Sequence, residues 1–247
     1  MTSKEKMTVL IVGASGATGR LLVTQLLENG HTVKVIVRSP DKLPQAIQNH
    51  PNLSIIQAAV LDLSDADLAQ HVKGCDAVAS CLGHNLNFKG MYGQPRRLVT
   101  DATRRLCQAI KANSPETPTK FVLMNTTGTR NRDLDEPISF AQKLVIGLLR
   151  LVLPPHVDNE QATEYLRSTI GQNDGLITWV AVRPDGLIDA DQVTAYELHP
   201  SPTRSAIFDA GQVSRINVAH FMAELITNND LFQTWKGQMP VIYNKGE

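Results

Sequence analysis

Residues 13–20 read GASGATGR, between the apolar run TVLIV (Thr8–Val12) and a helical pattern that turns Leu21, Leu22, Val23 and Leu26 inward and ends at Asn29-Gly30. Three glycines, Gly13, Gly16 and Gly19, recur at every third position. A turn without Cβ atoms lets the backbone approach an anion closely. The helix after it points free N–H groups and the positive end of its dipole at that anion. A glycine turn alone is weak evidence, because small-residue turns also occur for purely structural reasons. Between the first strand and first helix of a βαβ series it reads as a pyrophosphate cradle. Gly13, Ser15, Gly16, Ala17, Thr18 and Gly19 are its expected lining.

Outward from this turn, β-branched runs alternate with helical patterns. Strands are expected at Thr32–Val37, Leu53–Val60, Cys75–Leu82, Lys120–Asn125 and Ile177–Val182. Between them fall a short helix in DKLPQAIQ, a helix capped by Ser64, and a helix in PRRLVTDATRRLCQAIKA with Leu98, Ala102, Leu106, Ala109 and Ile110 on one stripe. A polar helix, DNEQATEYLRST, precedes the last of these strands, and Val218–Ile226 is helical with Asn217 as its N-cap. This alternation predicts an α/β fold with a doubly wound parallel sheet, whose ligand crevice lies beyond the carboxyl ends of the strands. The 247 residues fit one domain, with 185–212 and 228–247 as a small C-terminal cap.

Composition narrows the function classes. The formal net charge is zero, so no global field favours nucleic acid or an anionic membrane. The three cysteines, Cys75, Cys81 and Cys107, sit in apolar contexts and read as reduced, buried thiols of a cytoplasmic protein; no spacing suggests a metal site. The start, MTSKEKM, is short and polar, unlike a signal peptide. The longest apolar stretch, LVIGLLRLVL (Leu144–Leu153), is too short to span a bilayer.

The end of the second strand separates two ligands. A carboxylate about 20 residues beyond the glycines would bind the ribose 2′-hydroxyl of NAD. This chain has VRSPDK, with Arg38 in that place and Ser39 beside it. A guanidinium fork matches a 2′-phosphate and selects NADP(H); the plain alternative is a solvated surface cation. Asp41 stands too far along to replace the missing acid.

At this point the sequence resembles the atypical branch of the short-chain dehydrogenase/reductase superfamily, which includes NmrA-like proteins and flavin/biliverdin reductases. The resemblance runs from Met7 to Ala219 through ordered motifs: GASGATGR, VRSPDK, LDLSD (Leu61–Asp65), CLG (Cys81–Gly83), VLMNTTG (Val122–Gly128), and a late helix, strand and Arg-Pro turn ending in VRPDGLID. It implies that Asp62 and Leu63 lie near the adenine, that Leu82 and Gly83 run along the cofactor, and that Asn125 and Pro184 lie beside the nicotinamide end.

The pattern breaks at catalysis. Active members carry a Tyr and, four residues later, a Lys on the helix after the fifth strand. In register, those positions hold Pro155 and Asn159, and neither does that work. Three explanations stand: binding without catalysis, an acceptor that needs little acid from the protein, or another proton source. His156 is the best such source; otherwise it sits in the turn after Leu153-Pro154-Pro155. Thr126 and Thr127 replace the usual Ser, as substrate donors or as strand-end caps. The long loop GHNLNFKGMYGQ offers His84, Asn85, Asn87, Lys89 and Tyr92 to a substrate pocket, or is surface decoration. Arg96, Arg97, Arg104, Arg105 and Lys111 read either as an anion patch or as a solvated helix face.

These observations imply an NADP(H)-dependent oxidoreductase that passes hydride to a small acceptor (a quinone, flavin or carbonyl compound), with Thr126 and His156 as the candidate catalytic residues. The competing reading is a non-catalytic NADP(H)-binding redox sensor or scaffold; an epimerase or dehydratase is a lesser one. The expected partners are a small acceptor and, as an open option, a second copy of the chain in a homodimer, with no metal and no nucleic acid.

Overall fold

The computed structural model describes residues 6–84, 92–136 and 140–246. Asn85, Asn87 and Lys89 of the expected pocket, and the N-terminal Met1–Glu5, lie outside them. Ten strands are described: β1 Thr8–Val12, β2 Thr32–Val37, β3 Leu53–Gln57, β4 Ala77–Ser80, β5 Thr119–Met124, β6 Ile177–Pro184, β7 Gly186–Ile188, β8 Tyr196–His199, β9 Gln212–Ser214 and β10 Val241–Asn244. The helices are α1 Ala17–Glu28, α2 Gln45–Gln48, α3 Asp65–Val72, α4 Leu98–Asn113, α5 Phe140–Val152, α6 Pro154–Tyr165, α7 Arg215–Thr227 and α8 Asn229–Trp235.

Eight strands form one sheet in the order β3-β2-β1-β4-β5-β6-β10-β8, and β7 pairs with β9 apart from it. Neighbours from β3 to β10 run parallel; β8 is antiparallel to β10. This is the doubly wound fold, with its switch point between β1 and β4. The apolar run of β1 serves both faces. Val9 and Ile11 pack with Leu22 and Leu26 of α1 and Phe221 of α7. Leu10 and Val12 pack with Leu68 of α3, Leu106 of α4 and Ala162 of α6. A strand covered on both sides needs apolar residues at every position, which is why β1 does not alternate with polar ones.

Several elements depart from the sequence expectation. β3 stops at Gln57, and β4 spans only Ala77–Ser80. α6 begins at Pro154, with prolines in its first turn where their missing N–H costs nothing. His156 is therefore helical and not part of a preceding turn. The N-cap of α7 is Ser214, whose Oγ accepts from Asn217 N. Asn217 is fully buried: its Oδ1 accepts from Thr194 N, and its Nδ2 donates to Thr194 Oγ1 and Asn244 Oδ1. Val241–Asn244, grouped above with a C-terminal cap, is the strand of the main sheet beside β6. The three cysteines are buried and free.

Lys120 is buried at the start of β5, where its Nζ donates to Ile226 O in the last turn of α7 at 2.7 Å and lies 5.0 Å from the Phe232 ring centroid. Burial pulls its pKa down to about 8, against the smaller opposing pull of Asp76. Between that value and the ordinary one of about 10.4, the unfolded chain binds more protons than the folded one. The charged lysine therefore weakens the fold below pH 8, and stability rises through this window. Urea unfolding at pH 7.5 and pH 10 is expected to show the wild type gaining on Lys120→Met at the higher pH; a constant difference between the two proteins would refute this.

Candidate functional site

The glycine turn is built by close approach. Gly13 has φ +75°, and a Cβ there would stand 2.5 Å from the Cys81 carbonyl carbon and oxygen and 2.7 Å from Leu82 N. A Cβ on Gly19 would collide with the Gly13 carbonyl. Gly13 thus lets the end of β1 lie against the chain leaving β4, and Gly19 lets the start of α1 lie against the turn at Gly13. Gly16 N donates to Gly13 O at 3.0 Å and closes the turn. Gly16 and Ala17 are exposed, Ser15 is half-buried, and Thr18 and Gly19 are buried.

Side chains cap α3, α7 and α8 through Ser64, Ser214 and Asn228. At α1 the N-cap is Gly16, which has no side chain to do so, and no acidic residue lies in the first turn. Among the described residues, the first turn of α1 thus has no side-chain cap and no acidic residue of its own, which fits a pyrophosphate at its free N–H groups. Arg38 is exposed directly after β2, and Ser39 is half-buried at the head of the Pro40–Lys42 turn.

The LDLSD segment is clamped by Arg105. Its guanidinium donates to the carbonyls of Val60 (3.3 Å), Leu61 (2.7 Å) and Leu63, and pairs with Asp65 at 2.8 Å. Asp62 is exposed and Leu63 half-buried beside it. Arg104 lies 5.5 Å from the Tyr165 ring centroid, and Lys111 pairs with Asp174 at 2.6 Å. Each of these three cations thus has a contact with a neighbour of α4, while Arg104 remains exposed to solvent. Arg97 sits at the N-cap of α4, and Arg96 precedes it, exposed.

Beyond β4, Leu82 is half-buried, Gly83 exposed, and His84 meets Asp158 with Nε2 2.7 Å from Oδ2. Asp158 is 1% exposed and accepts from Val99 N and Thr100 N, so it caps α4 from α6. Burial alone would raise its pKa, but the bonds from His84, Thr100 and Val99 hold it below the usual carboxylate range. The polar look of DNEQATEYLRST hid this residue from sequence reasoning.

Beyond β5, Asn125 donates from Nδ2 to Asn159 O and accepts Thr126 N at Oδ1, tying the strand to α6. Thr126 is half-buried, and its Oγ1 accepts from Gly128 N at 3.3 Å. Thr127 is buried and donates to Asp185 Oδ1, so its hydroxyl is committed within the fold. The His156 ring packs on Gly128, and its Nε2 lies 3.5 Å from Glu160 Oε1. Burial would raise the Glu160 pKa, but His156 and the Arg150 fork bring it down to about 2. Tyr92 donates from its hydroxyl to Val152 O at the end of α5. Pro184 is buried at the end of β6, one residue after the fully buried Arg183. The structure thus brings the glycine turn and the ends of β4 and β5 to one side of the sheet, with Thr126 and His156 both against Gly128.

This fold and turn define a Rossmann-type dinucleotide-binding protein. A family model described as NAD(P)H-binding matches residues 13–229, and the chain belongs to that family. The short-chain dehydrogenase/reductase likeness read from the motifs agrees with it. An uncharacterized chloroplastic protein of Arabidopsis thaliana is 27% identical over 90% of this chain and 72% of its own length. Dihydroflavonol 4-reductase of Zea mays is 38% identical over 33% of this chain, which spans only 22% of that enzyme. Among solved structures, a short-chain dehydrogenase/reductase of Veillonella parvula in complex with NADP superposes with a TM-score of 0.71 at 16% identity, covering 98% of this chain and 96% of that one. A Rossmann-fold NAD(P)-binding family protein of Shigella flexneri gives 0.66 at 20% identity, over 98% and 95%. Likenesses at such identity establish the fold alone. Among the described residues, no helix is long and apolar enough to cross a membrane.

Proposed function

We propose that the protein is an NADP(H)-dependent oxidoreductase of the atypical short-chain type, acting on a small quinone, flavin or carbonyl acceptor. The observation that carries the cofactor reading is Arg38, exposed where an NAD-selecting carboxylate would stand, in line with an α1 N-terminus that no side chain caps. In this reading Gly13, Ser15, Gly16, Ala17, Thr18 and Gly19 hold the pyrophosphate, and Arg38 and Ser39 hold the 2′-phosphate. Asp62 and Leu63 border the adenine; Leu82, Gly83, Asn125 and Pro184 border the nicotinamide end. When bound, the cofactor supplies a hydride. Thr126 Oγ1 orients the acceptor oxygen, and His156 delivers the proton from the ring edge that packs on Gly128. His84 and Tyr92 belong to the same acceptor side. The chain works in the cytoplasm.

One observation supports a second reading, a non-catalytic redox sensor of the NmrA-like kind. Asn159, at the expected lysine position, turns its Nδ2 back to Pro155 O at 3.1 Å. The place of the Tyr/Lys pair is thus filled by helix-internal bonding.

NADPH titration and NADPH oxidation with flavins, quinones and aldehydes test both. Arg38→Ala removes charge-assisted bonds to a 2′-phosphate and is expected to weaken NADPH by about tenfold or more, with little change for NADH. An unchanged preference sinks the NADP(H) assignment. Turnover that falls in His156→Ala supports the enzyme, whereas tight binding without turnover on any acceptor supports the sensor.

A further inference from the structure

A cleft of about 460 Å³ opens between the turn at Gly128–Thr129, α5 and α6. That size falls within the range of small-molecule pockets. Helical spacing puts Glu160, Thr163 and Glu164 on the face of α6 opposite Asp158, so the cleft and the His84–Asp158 contact use different sides of one helix. Four guanidinium groups line it, from Arg130, Arg132, Arg150 and Arg167, against two carboxylates, Glu160 and Glu164. Asp133 and Asp135, outside the lining, lie against Arg167 and Arg130, so the guanidinium groups are distinguished by how their donors are used and not by net charge.

The bonding separates two kinds of arginine. Arg150 grips Glu160 with Nε and a terminal nitrogen, each at 2.8 Å. Arg167 grips Glu164 at 3.1 and 2.8 Å and also Asp133 at 2.6 Å. These forks are fixed pieces of wall. Arg132 approaches Glu164 only to 3.7 Å, and its side chain is 58% exposed. Arg130 spends one terminal nitrogen on Glu136 O and lies 3.9 Å from the fully exposed Asp135. Most of their N–H groups remain available at the mouth. Thr129, also in the wall, has a buried hydroxyl with no hydrogen-bond partner among the described residues.

We infer that this cleft is a binding site for a small organic anion, held through a carboxylate or phosphate by the guanidinium forks of Arg130 and Arg132. Planar five-donor groups suit both oxyanions in two-point contact, which a single lysine would not. Glu160 and Glu164 hold Arg150 and Arg167 in place, so the ligand meets a wall that is already ordered and binds at the two arginines of the mouth. Neither arginine of the mouth belongs to the proposed cofactor cradle, although the cleft shares Gly128 and Glu160 with the surroundings of His156.

The test is calorimetric titration of the full chain, without NADPH, using citrate as the carboxylate probe and glycerol 3-phosphate as the phosphate probe. Saturable binding is expected with a Kd of about 1 mM or tighter for at least one probe. The tighter probe assigns the anion class. Arg130→Gln/Arg132→Gln is expected to weaken binding by about tenfold, and Arg38→Ala to leave it unchanged. Should the double variant fold poorly, Arg132→Gln alone, at an exposed side chain, is expected to weaken binding about threefold. No saturation with either probe, binding that survives the arginine substitutions, or binding lost in Arg38→Ala would each overturn the inference.

Discussion

Glu136→Ala is expected to lower the unfolding free energy by about 3–5 kcal/mol, a large part of the 5–15 kcal/mol typical of a domain. Arg183 is fully buried in β6, and Glu136 is 4% exposed; they meet at 2.7 Å. Removing the carboxylate strands a guanidinium in the interior and takes the acceptor from Asn131 N. A buried ion pair can often be replaced by apolar residues of similar volume without loss. That does not hold here. Arg183 also donates to the carbonyls of Met239 at 2.6 Å and of Thr129 and Pro200 at 3.0 Å. The double variant Arg183→Met/Glu136→Leu leaves the carbonyls of Met239 and Thr129 without this donor inside the fold, and is expected to be no more stable than either single variant. Urea denaturation of the three proteins decides it: a double variant as stable as the wild type would show that the pair is a dispensable charge couple. Because Thr129 and Pro184 adjoin this knot, it also fixes the turn at Gly128 against which Thr126 and His156 sit.

The same knot shows what sequence reasoning reaches. Strand and helix periods are local properties, and the order of β1 to β6 with their covering helices followed from them. So did the glycine turn, since a positive φ and a backbone approach leave glycine little alternative. Arg183 and Glu136 are separated by 47 residues, and no local pattern links them. One signal was present: an arginine inside ITWVAVRP, a strand otherwise fit for full burial, requires a buried partner. Asp158 gave weaker notice, because a carboxylate in a polar helix looks solvated until another helix end is found against it. The cap of α7 was misplaced for a related reason. Ser214 and Asn217 are both good caps, and only the buried bonds of Asn217 to Thr194 and Asn244 assign it a tertiary role. The start of α6 was legible in principle, since two prolines suit a first helical turn better than a loop before one. The acceptor side depends on loops that adjoin only after folding, and its residues carry no spacing of their own.

Gly13→Ala and Gly16→Ala are expected to fail in different ways, and the contrast tests the cradle. At Gly13 an alanine must adopt a left-handed backbone while its Cβ presses on the Cys81–Leu82 peptide at 2.5 to 2.7 Å. Nothing there is a flexible side-chain end that can move aside. The conformational and steric costs together come to about 2–5 kcal/mol, so the variant is expected to unfold at markedly lower urea and to lose cofactor binding with the fold. Gly16 has φ −74°, which any residue adopts, and an added Cβ would meet only the Gly13 carbonyl, at 3.1 Å. Its stability is expected to stay within about 1 kcal/mol of the wild type. Yet Gly16 is exposed at the N-cap of α1, where a pyrophosphate must come close to the backbone. A methyl group there stands between anion and amide, so NADPH affinity is expected to fall by about tenfold or more in a protein that is still folded. The decisive measurement is NADPH titration of Gly16→Ala beside its unfolding curve. A folded Gly16→Ala that binds NADPH as tightly as the wild type would mean that the glycines serve only the packing of β1 and α1 against the end of β4.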